Sequence, residues 1–224
     1  MLKKFAYFLK AAIIHCLLNI YCLSVLPGNH DALICVVMSH GGEKGIMGWD
    51  RNYITVDQIT NNFKDDKFPS LITKPKLFFI NACRGEMEDN GRLVPRGYKH
   101  GSVVFADDIK GELPVKLPSE ADFLICYSTT KGSVSYREYF PNPEDTLRYR
   151  SSMGTGSWFI QAMVQVFNNY ADQEDLLSML TRVNRAMCEF YNGGDPESGH
   201  KQISCHLSML TRKLYFRNFF KQIQ

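Results

Sequence analysis

Four stretches of the chain are almost uninterruptedly apolar and stop abruptly at charge, glycine or polar clusters. They are residues 32–39 (ALICVVMS), 76–82 (KLFFINA), 122–129 (DFLICYST) and 202–210 (QISCHLSML). A strand covered on both faces reads as such a continuous run, whereas a half-exposed strand alternates. Between the runs the pattern changes to a helical period. Residues 56–65 follow Thr55, a capping residue type, with Gln58 three positions on, where a capping box needs it. Residues 157–170 carry apolar side chains at 159, 160, 163, 164 and 167, one face of a helix. Residues 176–191 repeat that period and meet a stop at Gly193 and Gly194. Strands alternating with helices predict an α/β fold, a central, mostly parallel sheet with helices on both faces. Segments 85–118 and 139–156 follow neither period, and loops this long in a compact domain commonly carry function.

The first residues fit two readings. Lysines at 3, 4 and 10 precede an apolar run over 11–26, as in a secretory leader. His15 and Asn19 interrupt that run, no small-x-small cleavage site follows, and the run is short for a membrane span. The same residues serve equally as a core helix or strand.

Composition narrows the class. With 224 residues, 45% hydrophobic and 22% charged, the chain suits one well-buried domain. A net charge of +3, with no basic stripe interleaved with aromatics, argues against nucleic acid as a partner. The seven cysteines are odd in number and form no C-x-x-C pair, which argues against both a disulfide framework and a zinc site. Cys35, Cys126 and Cys205 lie inside apolar runs, where a thiol acts as a small hydrophobe. This usage predicts a reducing, cytoplasmic compartment, no membrane association and no metal.

Open α/β sheets carry their functional groups beyond the carboxyl ends of the strands. The chemistry-bearing residues here fall there. His40 follows the first run, Cys83 the second, and Ser135-Tyr136-Arg137 the third. A thiol attacks as thiolate, and a neighbouring imidazole both activates it and returns a proton to the leaving group. If the first two strands are neighbours, His40 and Cys83 meet. The glycines of "SHGGEKG" permit close backbone approach, so the amides of Gly41 and Cys83 would face a developing oxyanion.

"NACRG", 43 residues after His40, together with "ALICVVMSHGGEKGIMG", "PSEADFLICYSTTKGSVSYRE" and "GSWFIQAMVQVFNNYADQEDLLSMLTRVNRAM", resembles the caspases. These are cysteine proteases that cut after aspartate. The resemblance covers residues 31–224 as one catalytic domain. It implies Cys83 as nucleophile, His40 as acid/base partner, and Gly41 and Cys83 as oxyanion donors. It also implies Asn81, Ser135, Tyr136, Arg137 and Trp158 as the substrate groove. Arg137, a planar permanent cation, would grip the aspartate carboxylate. Residues 31–84 match the large subunit, 85–118 an intersubunit linker with Asp107 and Asp108 as processing sites, and 119–224 the small subunit. Residues 1–30, before the resemblance begins, are an apolar N-terminal segment of uncertain role. No cofactor is implied. The implied partners are protein substrates and a second caspase chain, in a homodimer or heterodimer formed through residues 202–210. The implied setting is a zymogen of apoptotic or related signalling.

The sequence departs from the family pattern in three places. It resembles an N-terminally truncated member: the family's first specificity arginine, first helix and first strand lie upstream of its start, and no arginine precedes Arg51. That predicts an aspartate pocket with one cationic wall fewer. Asn81 stands where the family has glutamine, one methylene longer. The strand at 32–39 is expected to have an exposed apolar edge, unless residues 17–26 or a partner chain cover it. A second reading follows from these departures, a catalytically impaired caspase-like regulator that pairs with active caspases.

Overall fold

The computed structural model describes residues 12–15, 31–64, 71–88, 118–138, 156–190 and 200–216. A five-stranded sheet runs through it in the order β1 (Ala12–His15), β2 (Leu33–Met38), β6 (Lys76–Asn81), β7 (Phe123–Tyr127) and β10 (Cys205–Ser208). The first four strands are parallel and β10 is antiparallel to β7. A small antiparallel sheet joins β3 (Gly41–Gly42), β4 (Gly45–Met47) and β5 (Tyr53–Ile54). β8 (Arg137–Glu138) and β9 (Gly156–Ser157) form a two-stranded ladder.

Three of the four continuous apolar runs are buried on both faces, as their pattern requires, whereas β10 in the fourth lies at the sheet edge with Leu207 exposed. Ile34, Leu77, Phe79, Leu124 and Cys126 face α2 (Trp158–Tyr170) and α3 (Leu176–Phe190), against Phe159, Met163, Met179, Leu180 and Val183. The alternate residues Leu33, Cys35, Phe78, Ile80 and Phe123 face α1 (Val56–Thr60) and the turn after it, against Ile59 and Phe63. Lys76 opens β6 fully buried. Its ammonium donates to the carbonyls of Leu71 (3.1 Å) and Lys74 (3.2 Å) and lies over the Phe123 ring, which compensates for burying a cation. Among the described residues no helix is long and apolar enough to cross a membrane.

Several boundaries differ from the pattern-based expectation. The Thr55–Gln58 capping box forms in both directions, but α1 ends at Thr60 and tightens into a 3-10 turn over Asn61–Phe63 that buries Phe63. The buried stripe of α2 is 158, 159, 162, 163, 166 and 167, not 159, 160, 163, 164 and 167. Trp158 is drawn inward by Tyr136, and Ile160 only packs against the edge of the core. The last strand is shorter than 202–210, and just before it the Ser204 amide donates to Asn184 Oδ1 (2.9 Å) instead of to a ladder carbonyl. Ala12–His15 pairs in parallel along the edge of β2, and residues 17–26 lie outside the described residues. Gly193–Gly194 and the segment 89–117, with Asp107 and Asp108, also lie outside them.

Asp175 begins α3. Its carboxylate accepts from the amides of Leu177 (3.1 Å) and Ser178 (3.3 Å) and from the Ser178 hydroxyl (2.6 Å). Burial pushes this carboxyl's pKa up, but the Ser178 and Leu177 bonds and nearby Lys213 outweigh burial and hold it below the ordinary value. A lowered folded pKa stabilises above the unfolded value, near 3.9, and that contribution is lost as pH falls through the folded value. Asp175→Ala is therefore expected to cost about 1 kcal/mol at pH 7. Urea unfolding across pH should show the gap between the two proteins narrowing below about pH 4.

Candidate active site

β2 and β6 lie side by side in parallel, with Met38 opposite Asn81 as their last pair. Two residues beyond these ends stand His40 and Cys83. The Ser39 amide donates to the Asn81 carbonyl (3.2 Å), and the His40 carbonyl accepts from Met47, so the hairpin after β2 is anchored on the end of β6. A Cβ added at Gly41 would lie 2.5 Å from the Cys83 carbonyl oxygen and 3.0 Å from the Ala82 Cβ. Only glycine lets the His40–Gly41 backbone rest directly on Ala82–Cys83. His40 is exposed and Cys83 half-buried.

The Cys83 turn is fixed from the other side by the loop after β7. Arg84 and Met87 exchange backbone bonds with Gly132, Ser133 and Val134. The Arg84 guanidinium lies 3.9 Å from the Tyr127 ring centroid and donates to the Thr129 carbonyl (3.4 Å) and to the Cys205 sulfur (3.4 Å). Cys205 is thus a hydrogen-bonded thiol at a strand edge and not the buried small hydrophobe expected. Cys126 does fit that expectation. It is fully buried, and burial first, then the nearby Cys205, pushes its pKa up to about 12. The Cys83 sulfur accepts from the Ser135 amide (3.3 Å) and donates to the Ser135 carbonyl (3.8 Å).

Ser135, Tyr136 and Arg137 continue along one side of the thiol. The Tyr136 amide donates to Gln202 (2.6 Å), a buried side chain that also donates to the Ser128 carbonyl (2.7 Å). Tyr136 packs between Trp158 (centroids 4.9 Å apart) and His200 (5.3 Å, planes 12° apart). His200 Nδ1 lies 3.6 Å from the Glu88 carboxylate. Arg137 is exposed and pairs in register with Ser157, whose hydroxyl bonds Asn81 Oδ1 at 2.6 Å. Cys83 also lines a cavity of about 200 Å³, with Gly42, Lys44, Asp57, Tyr127 and Lys131 among others. Asn81, Arg137 and Trp158 do not line it.

The residues singled out from the sequence, apart from Asp107 and Asp108, therefore converge on the carboxyl ends of β2, β6 and β7. Residues 9–215 match the Peptidase_C14 family, the caspase domain. The chain belongs to the caspase family. Caspase-7 of Gallus gallus is 38% identical over 194 residues, which cover 84% of this chain and 57% of that protein. Caspase-3 of Mesocricetus auratus is 39% identical over 191 residues, covering 84% of this chain and 60% of the relative. The chain thus spans under two thirds of the length of these caspases. The crystal structure of caspase-1 from Spodoptera frugiperda matches with a TM-score of 0.64 at 31% identity, over 84% of this chain and 64% of that one.

Three further residues that the structure places beside these groups were not read from the sequence. Gln202 looked like the start of a strand, although a polar residue leading an apolar run was a usable signal. Ser157 looked like a helix start. His200 gave no signal, because its partners Tyr136 and Glu88 are 64 and 112 positions away.

Proposed function

We propose that this chain is a cysteine endopeptidase that hydrolyses peptide bonds after aspartate. The observation that carries the reading is the seating of His40–Gly41 on Ala82–Cys83, with glycine the only residue that fits. The Cys83 thiolate adds to the carbonyl carbon, and the amides of Gly41 and Cys83 take the charge on its oxygen. The C–N bond breaks as His40 protonates the departing amine. Water then attacks the thioester and gives a proton to His40, and the C–S bond breaks to release the acid and restore the Cys83 thiolate.

Arg137 and Asn81 hold the substrate's aspartate carboxylate. The Ser135 backbone pairs with the peptide once the Cys83–Ser135 contact opens, and Tyr136 with Trp158 shapes the neighbouring subsites. The setting is the cytoplasm, in apoptotic or related signalling, with a zymogen cut in the linker at Asp107 or Asp108. Pairing with a second caspase chain uses β10, where Leu207 is 57% exposed.

The second reading is a regulator that acts by pairing. The exposed Leu207 and Ile203 favour it, because pairing uses that edge whether or not the thiol reacts. The test is release of a fluorophore from peptides ending in Asp by the purified chain, intact and cut in the linker, beside Cys83→Ala. Cys83-dependent release supports the protease. No release, together with Cys83-independent capture of an active caspase, supports the regulator.

A further inference from the structure

The hairpin after β2 carries a row of side chains that begins at His40. β3, β4 and β5 pair Gly41 with Ile46, Ile46 with Ile54, and Met47 with Tyr53. The Met47 amide donates to the His40 carbonyl (2.9 Å), which carries the register one pair further, to His40 and Met47. Directly opposed residues share one face of a ladder, and successive residues alternate between faces. Ile46 is buried and Ile54 packs against the core that holds Phe78 and Ile80, so theirs is the inner face. His40, Met47 and Tyr53 therefore stand side by side on the outer face, where His40 is exposed and Tyr53 is 47% exposed.

Trp49 follows at the hairpin tip and is 86% exposed. A network of bonds closes this tip. The Gly48 amide donates to the Asn52 carbonyl (2.7 Å), and the Arg51 amide donates to the Gly48 carbonyl (3.0 Å). The Asp50 carboxylate accepts from the Asn52 backbone amide (3.1 Å) and from its side chain (2.8 Å). Arg51 takes a left-handed backbone (φ 63°) to complete the turn. Single apolar residues scattered on a surface are ordinary. A bonded tip that holds an indole in water, next to an exposed tyrosine in line with His40, is a different arrangement.

The sheet order says which part of a substrate meets this row. β6 lies between β2 and β7, so Cys83 has the His40 hairpin on the β2 side and the Ser135–Arg137 stretch on the β7 side. In the protease reading, the residues up to the cut aspartate occupy the β7 side. The chain beyond the scissile bond then leaves over His40 and the hairpin. Opposed residues are about 5 Å apart at Cβ, so Met47 lies about 5 Å from His40 and Tyr53 about 10 Å. An extended peptide rises about 3.3 Å per residue, which brings the second and third residues after the bond over Met47, Tyr53 and Trp49.

We propose that Met47, Tyr53 and Trp49 form a docking ledge for bulky apolar side chains on the leaving-group side of a protein substrate, two and three residues past the cut. This rests on the protease reading of the site, and the test separates the two. Two fluorescein-labelled peptides share one sequence up to aspartate and a following glycine, then carry Phe-Phe or Ala-Ala. Both are titrated by polarisation into the Cys83→Ala chain, where the bond stays uncut, and into Cys83→Ala carrying Trp49→Ala, Tyr53→Ala or Trp49→Phe. A melting curve accompanies each protein. Cleavage of both peptides by the chain with Cys83 intact is measured in parallel.

The Phe-Phe peptide should bind about tenfold tighter than the Ala-Ala peptide, the scale of one aromatic pair. That ratio should fall toward one in each alanine variant and persist in Trp49→Phe. A ratio near one in the parent overturns the proposal, as does a lack of binding by both peptides. Equal losses for the two peptides in the alanine variants mean a merely structural role and also overturn it. So does an unchanged ratio in Trp49→Ala and Tyr53→Ala, and loss of self-association in those variants would then assign the ledge to a second copy of this chain. The expected ratios without any cleavage would overturn the protease reading alone.

Discussion

Cys83→Ala is expected to lower Asp-directed peptide cleavage by at least about a thousandfold while the chain still folds. The expectation rests on the contrast between two thiols. Cys126 is sealed in the core with its pKa pushed up to about 12, so it stays neutral and out of reach at neutral pH. Cys83 is half-buried, at the end of β6, against the His40–Gly41 backbone. Its sulfur contacts the Ser135 backbone, and removing that contact should cost no more than about 1 kcal/mol in a half-exposed site. The measurement is kcat/KM on fluorogenic peptides ending in Asp, with a melting curve for each protein. Cys126→Ala is the control, and its losses should appear in stability. Activity surviving in Cys83→Ala at the parent level would remove Cys83 as the nucleophile.

Gly85→Ala should be nearly as damaging, by about a hundredfold in rate, although residue 85 does no chemistry. An alanine Cβ there would stand 2.0 Å from the Gly132 carbonyl oxygen and 2.3 Å from its carbon. Both are backbone atoms, and Gly132 is itself tied to Arg84 and Met87 by two backbone bonds. Neither side can yield as a flexible side chain would, so the turn that carries Cys83 must shift by about 1 Å. A displacement of that size near the reacting atoms costs on the order of a hundredfold. Gly42→Ala is the comparison. An added Cβ there meets nothing within 4 Å, so its melting temperature should match the parent's. Equal kcat/KM in Gly85→Ala and the parent would show that the Cys83 turn tolerates the shift.

Much of this molecule was legible because local rules and global packing agree in it. The runs at 32–39, 76–82 and 122–129 are strands because only a doubly covered sheet can bury such sequences, and the structure pairs them as β2, β6 and β7. The Thr55–Gln58 box announced a helix start from four consecutive residues, and both of its bonds form. Helix ends were less legible. Where α1 stops depends on Phe63 reaching the core face of β6, a contact made with Phe78 across the fold.

By itself the sequence determined the strand-and-helix order, the family and the residues worth testing: His40, Gly41, Asn81, Cys83, Ser135, Tyr136, Arg137 and Trp158. Those follow from periodicity and from motifs a few residues long. Only the tertiary structure decided that Ala12–His15 pairs with β2, and that β10 runs antiparallel. It also decided that Cys205 bonds Arg84, that Gln202 bonds Tyr136 and that Ser157 bonds Asn81. The physical reason is shared. Each is a contact between residues 21 to 121 positions apart, whose partner is chosen by which strand ends the sheet brings together. Spacing along the chain carries no record of that choice.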